Sequence, residues 1–304
     1  MATPMRSTDF RSIVEPILNE EFNGIYEQRA DEWAQVFKEF KGIPRNYHEE
    51  PVLYGFGAAP ELPDGMPVTY QSGGVLFIQR YVYRVYGLAF ALTKVLVEDG
   101  DHIRIGQTYA RHLAQSLIET KETLGANILN RAFNGAYVGG DGKELVATDH
   151  PIANGTFSNK LSTAANLSQT SLEQLLIQIR NAVDNNGKRI RLTPKKIVTG
   201  PSNVFQAEVL LKSALRAGTA NNDVNPVRSM GLLDDGQANL SRITSTTAWW
   251  IQTDAPEGLK LAMRRGLEKS MEGDFETDSM RYKATERYAF GWTDPRGVYG
   301  TPGI

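Results

Sequence analysis

Asp149-His150 is the pairing in this chain best suited to chemistry, because an aspartate beside a histidine can orient an imidazole as a general base. Adjacent residues seldom reach a common atom, however, and Pro151 follows at once. No Gly-x-Ser-x-Gly elbow supplies a nucleophile. A hydrolase using Asp149 and His150 is therefore the least favoured function. A structural loop in which His150 hydrogen-bonds locally is the better expectation. Gly55-Phe56-Gly57-Ala58-Ala59-Pro60 begins like a dinucleotide loop but ends in proline and precedes no helical pattern. There is no P-loop. His48, His102, His112 and His150 lack metal-ligand spacing, and the absence of cysteine removes thiolate nucleophiles, disulfides and sulfur-ligated metals. Glu49-Glu50 and Asp234-Asp235 read as solvated pairs. Arg264-Arg265 and the cluster from Arg189 to Arg191 read as subunit salt bridges or solvated faces in preference to a nucleic-acid contact. No catalytic residue, cofactor or metal is expected, and the chain reads as a non-enzyme.

Composition sets wide bounds. The 304 residues allow one large or two modest domains. An apolar fraction of 41% and a charged fraction of 22% are ordinary for a globular protein. A net charge of −2 gives no field strong enough to hold the whole protein on nucleic acid or acidic lipid. The start, Met1 to Arg6, leads into a charged segment, so no secretory signal is expected. The most hydrophobic run, Gly87 to Val97, contains Lys94 and is too short to span a bilayer. The expectation is a protein of cytoplasmic origin with no membrane partner.

The elements that would carry these side chains are unusual in length. Residues 7–41 read as a helical arm, with Phe10, Ile13, Val14, Ile17 and Leu18 at helical spacing, then Trp33, Val36, Phe37 and Phe40. Aromatics at that density need a partner surface, either a neighbour or the arm's own domain. Residues 42–74 are rich in proline and glycine, with short extended runs at 52–56 and 67–71, and read as a long surface hairpin or loop. A connection this long is usually functional. Val75 to Tyr86 is a strand candidate, and Glu98-Asp99-Gly100-Asp101 turns the chain into a helix expected over 102–134. Residues 140–275 mix helices (171–185, 201–214) with strands (196–199, 247–253, 259–263) and read as their own α/β unit.

The expected helix has roughly 33 residues, or about 50 Å. Tyr109, Leu113, Leu117, Leu124, Ile128 and Ala132 fall on one stripe, widened by Ala110, Ala114, Ile118, Leu129 and Phe133. Arg111, Gln115, Glu119, Glu122 and Asn130 lie largely off it. Asp101 is placed to cap the start and Gly135 to end it. From Met280 to Trp292 the chain alternates with period two: Met280, Tyr282, Ala284, Tyr288, Phe290 and Trp292 point one way, with Glu286 as the exception. A strand and a helix of similar length can lie side by side, the aromatic face covering the apolar stripe.

This order of parts, with Gly87-Leu88-Ala89-Phe90 and Leu96-Val97-Glu98-Asp99 before the helix, resembles the major capsid proteins of tailed bacteriophages, the Johnson fold. The resemblance is strongest in Tyr86 to Asn134 and in Ala147-Thr148-Asp149-His150-Pro151, followed by Ser158-Asn159 and Ala164-Ala165-Asn166-Leu167-Ser168, and it looks like the Mu-like branch of head subunits. The resemblance implies an α+β fold with an amino-terminal arm at 1–45, an extended loop at 46–80 and a peripheral domain at 81–139 that carries the spine helix at 102–134. It also implies an axial domain at 140–275 and a return strand of the peripheral domain at 276–304. The implied function is a shell subunit that assembles into an icosahedral head around phage DNA, in the virion, after assembly in the host bacterial cytoplasm. The runner-up is an encapsulin-like nanocompartment shell. Implied partners are further copies in hexamers and pentamers, separate scaffolding, portal or decoration proteins, and double-stranded DNA contacted without sequence specificity. A fused scaffold is not expected, since only about 45 residues precede the loop; no crosslinking motif is matched. Phe10, Trp33, Phe37, Tyr54, Phe56, Met66, Tyr70, Arg264 and Arg265 are the expected assembly residues.

Overall fold

The computed structural model describes residues 7–28, 31–93, 95–96, 102–216, 223–274 and 279–304, with side chains from residue 14 onward. Helix α1 (Ser7–Gln28) leads to a 3₁₀ turn at Trp33–Gln35 and strand β1 (Lys38–Lys41). Strands β2 (Tyr47–Tyr54) and β3 (Gly74–Val82) precede β4 (Arg84–Leu92) and the long helix α2 (His102–Asn130). The middle of the chain holds β5 (His150–Ile152), β6 (Gly155–Phe157), α3 (Gln169–Arg180), β7 (Pro194–Thr199), α4 (Val204–Lys212), α5 (Pro226–Ser229), β8 (Gln237–Asn239) and β9 (Trp249–Thr253). Strands β10 (Leu259–Asp274), β11 (Ser279–Trp292) and β12 (Val298–Thr301) complete it.

Two four-stranded sheets organise these elements, in the orders β1-β10-β11-β4 and β12-β9-β7-β8. The return strand at 280–292 is present and extends to Ser279, and its alternation holds: Tyr282, Ala284, Glu286 and Tyr288 are buried while Arg281 and Lys283 are exposed. It covers α2 directly. Ala110, Leu113, Ala114 and Leu117 share one core with Tyr282, Ala284 and Met271, and Val14, Leu18 and Phe22 of α1 close it from the other side. Further along, a Cβ on Gly125 would lie 3.4 Å from the Phe290 ring and 3.2 Å from Trp33, so glycine permits the close approach of helix and strand there.

Several expectations need correction. Helix α2 stops at Asn130 instead of 134, and a turn at 131–133 follows. The Asn130 side chain is engaged outside the helix, donating to the Arg242 carbonyl and accepting from the Thr244 N–H. Tyr109 is exposed, whereas Glu122 is buried. Glu122 accepts the Glu32 and Trp33 N–H groups at 2.8 and 3.0 Å and so caps the 3₁₀ turn. The helical arm over 7–41 ends at Gln28, and Lys38–Lys41 is instead a strand parallel to β10. Val75 to Tyr86 is two strands broken at Tyr83. The cap assigned to Asp101 and the turn at 98–101 lie outside the described residues.

The domain boundary expected at 275 falls too late. Strand β10 runs from Leu259 to Asp274 and pairs along β11, which places it in the first sheet. The chain end crosses the other way: β12 pairs with β9 in the second sheet, with Tyr299 in its core. The partner that fixes β10 in the first sheet is β11, and no local signal in the β10 sequence shows that pairing.

Candidate assembly surface

Strands β2 and β3 pair as an antiparallel hairpin where 42–74 reads as a long hairpin or loop, with β3 running on to Val82, although 67–71 is not a strand. The β2 burial alternates residue by residue, as a two-sided ribbon requires. Its root is held by a polar network. Glu50 accepts from Lys260 at 2.7 Å, from the Thr293 hydroxyl and from His48 Nε2 at 3.1 Å. The single Thr293 proton goes to Glu50, so the Tyr81 hydroxyl donates to Thr293, at 2.5 Å. Burial pushes the Glu50 carboxyl up, but hydrogen bonds from Lys260 and Thr293 outweigh it and leave the group below its ordinary value. The expectation that Glu49-Glu50 is a solvated pair therefore holds for Glu49, which pairs with Arg80, and fails for Glu50.

Beyond the root, the turn at 184–188 grips the hairpin. Asn185 Nδ2 donates to the Leu53 carbonyl at 2.7 Å, Asn186 Nδ2 to Gly55 at 2.6 Å, and Lys188 Nζ to Phe56 at 2.7 Å. Past that grip, residues 55–73 are exposed throughout. Phe56, Met66 and Tyr70 are 61%, 62% and 95% exposed, and Leu62 and Val68 stand out beside them. Clustered apolar side chains in water mark an interaction surface.

The other expected assembly residues divide. Tyr54 is half-buried beside Gly74 on the hairpin. Trp33 and Phe37 are buried in their own subunit, each with an edge-on contact to Phe290, so they build the core and not an interface. The described arm aromatics, Phe22, Tyr26, Trp33, Phe37 and Phe40, fold back on their own domain. The Phe10 side chain lies outside the described residues. Arg264 and Arg265 are half-buried on β10, near Arg287. Sequence reasoning missed Leu62 and Val68 at the tip, Leu53, Val75 and Ile78 on the hairpin strands, and the gripping turn. The signal for the turn was its Asn-Asn-Gly-Lys composition.

Asp149 and His150 diverge. His150 is fully buried, with Nδ1 2.6 Å from Asp141 and Nε2 3.1 Å from Asn159, and its ring stacks on Phe157. Asn159 donates to the carbonyls of Leu145, Pro295 and Val298, so this cluster ties the 141–159 segment to the chain end. Asp149 instead pairs with Lys143 at the surface. Among the described residues, no group of histidines and carboxylates is arranged to hold a metal ion, and no helix is long and apolar enough to cross a membrane.

A family model described as "Phage capsid protein" matches residues 81–301. No curated protein matches the chain. Among solved structures, the capsid of Cyanophage P-SCSP1u is 10% identical with a TM-score of 0.59, over 91% of this chain and 89% of that one. A virus-like particle from Pyrococcus furiosus is 11% identical with a TM-score of 0.53, over 94% and 98%. The structure of Mycobacterium phage Che8 is 13% identical with a TM-score of 0.52, over 90% and 92%. At these identities the likeness is one of fold, and the fold is the α+β Johnson architecture.

Proposed function

Since the chain belongs to the phage capsid protein family, and is thus a structural capsid protein and not an enzyme, we propose that it tiles the closed icosahedral head of a tailed phage with further copies of itself. The observation that carries the reading is the hairpin: an ordered two-stranded ribbon that lifts an exposed apolar tip away from the subunit's own cores. An isolated subunit gains nothing from such a tip, whereas a shell repeats one heterologous contact many times. In this reading 1–45 is the arm and 46–80 the extended loop. The first sheet with α2 forms the peripheral domain, and the second sheet with α3 and α4 forms the axial domain. The Mu-like branch rests on the residue phrases at 86–134 and 147–168. Separate scaffolding, portal or decoration proteins, packaged double-stranded DNA and assembly in the host cytoplasm belong to the same proposal.

Nuclease treatment of purified particles tests it. Protected double-stranded DNA inside the particles is the expected result. Particles that hold only a protein cargo would favour the encapsulin-like nanocompartment shell instead.

A further inference from the structure

A hollow between the end of α2, the β3–β4 junction and the last residues of β11 has a one-sided chemistry. It encloses about 360 Å³, within the size range of small-molecule sites. Arg84 of β4 and Arg131, in the turn after α2, both line it, and no aspartate or glutamate does. Among the described residues neither guanidinium meets a carboxylate. Arg131 instead lies over the Tyr137 ring, 4.3 Å from its centre. The two amides of the lining have already committed their oxygens. Gln79 Oε1 accepts from the Gly140 N–H, and Asn127 Oδ1 accepts from Asn130 Nδ2 at 3.4 Å. Asn130 is itself fixed, since its Nδ2 also donates to the Arg242 carbonyl while its Oδ1 accepts from Thr244. Both amides are thus oriented by their partners, and Gln79 Nε2 and Asn127 Nδ2 are left as donors.

A hollow whose guanidinium and amide groups all donate selects a ligand rich in acceptors and negative charge. Its other walls are mostly rings, those of Tyr137, Phe290 and Trp292. Ring faces and guanidinium planes both stack on flat π systems, nucleobases among them. A small inorganic anion would leave the rings unused. A purely apolar ligand would desolvate the donors without pairing them, which costs affinity. A molecule with a phosphate at one end and a flat heteroaromatic ring at the other satisfies both halves of the lining.

We propose that this hollow binds a nucleoside phosphate. Arg84 and Arg131 hold the phosphate by charge-assisted hydrogen bonds, the Gln79 and Asn127 amides donate to the remaining acceptors, and the base packs against the rings. A free nucleotide and the phosphorylated end of a nucleic-acid strand share this chemistry. The inference does not depend on the shell reading: a chain that builds shells but binds no nucleotide fails here alone.

Equilibrium dialysis of the purified full chain against adenosine 5′-monophosphate tests it. Saturable binding is expected, with inorganic phosphate alone and adenosine alone each weaker by about tenfold or more. Arg84 and Arg131 are exposed, so Arg84→Gln and Arg131→Gln should leave the melting temperature unchanged while each weakens binding by about tenfold. A short 5′-phosphorylated oligonucleotide separates the two sources. Tighter binding than the mononucleotide assigns the site to a strand end, and equal or weaker binding assigns it to the free nucleotide. No binding of either probe would overturn the proposal, as would arginine variants that bind both as wild type does. Inorganic phosphate that binds as well as the mononucleotide would make this a plain anion site and overturn it too. Arginine variants that lose particles, where wild type binds neither probe, would make the hollow a contact between copies and overturn it as well.

Discussion

Lys121 on α2 and Glu286 on β11 meet as a buried ion pair, Nζ to Oε2 2.9 Å, at the middle of the face where helix and strand join. The Tyr26 hydroxyl of α1 donates to Glu286 and accepts from Lys121, at 2.7 Å from its Nζ. Three elements far apart in sequence therefore converge on one charge pair, and the single polar interruption in the return strand's apolar face has its partner. Removing one member leaves the other buried and unpaired. Glu286→Gln or Lys121→Met is expected to cost about 3–5 kcal/mol in a urea titration, and the double replacement Lys121→Met with Glu286→Leu far less than the sum. Additive losses would show that the pair does not interact.

The fold is sensitive to alkali, in this region and at buried tyrosines elsewhere. Burial pushes the hydroxyls of Tyr26, Tyr81, Tyr282, Tyr288 and Tyr299 above their ordinary range, and the Glu286 charge adds to this at Tyr26 and Tyr288. An unfolded tyrosine ionises near pH 10. The stability tied to these raised values is whole below about pH 10 and is lost as pH climbs above it. A melting-temperature series from pH 8 to 11 should fall late and steeply, and a flat profile would contradict the account.

Glu50 behaves in the opposite sense. Its depressed carboxyl contributes stability that is present above the unfolded carboxylate value of about 4.3 and lost as pH falls through the lower folded value. At neutral pH, Glu50→Gln should cost roughly 1–3 kcal/mol. The loss should appear first as faster hydrogen exchange in β2 and β3, because Glu50 ties that hairpin to Lys260 and Thr293. Unchanged exchange there would remove Glu50 from the hairpin root.

His150 and Asp149 should separate cleanly on mutation. His150→Ala deletes a fully buried side chain that spans Asp141 and Asn159, and a loss of about 2–4 kcal/mol in a denaturant titration is expected. Asp149→Asn alters an exposed pair with Lys143 and should stay within about 0.5 kcal/mol. Equal effects would mean that the two residues act as a unit after all.

The sequence was most legible where periodicity was long. The return strand and most of the α2 stripe followed from alternation and helical spacing alone, because burying one face of a regular element forces that pattern. Glu286 could be recognised as an exception, but its partner could not, since Lys121 lies 165 positions away by number and pairs only in the folded state. Trp33 and Phe37 illustrate the converse failure. Aromatic density marks a need for burial, yet it does not say whether the burying surface is Phe290 of the same chain or a neighbour. The hairpin was visible as punctuation by proline and glycine, while its root and the grip of Asn185, Asn186 and Lys188 depend on contacts between distant segments. Strand β10 was read as five residues because Arg264 and Arg265 break its alternation at the bulge.

Electron microscopy of the purified protein, wild type beside a chain lacking Ala58 to Met66, tests the central claim most directly. The deleted residues are exposed throughout, so the shortened subunit should fold and melt as wild type does. Closed shells of uniform diameter from wild type and none from the deletion are the predicted result. Wild type that remains a dispersed subunit, or a deletion that builds normal shells, would contradict the account.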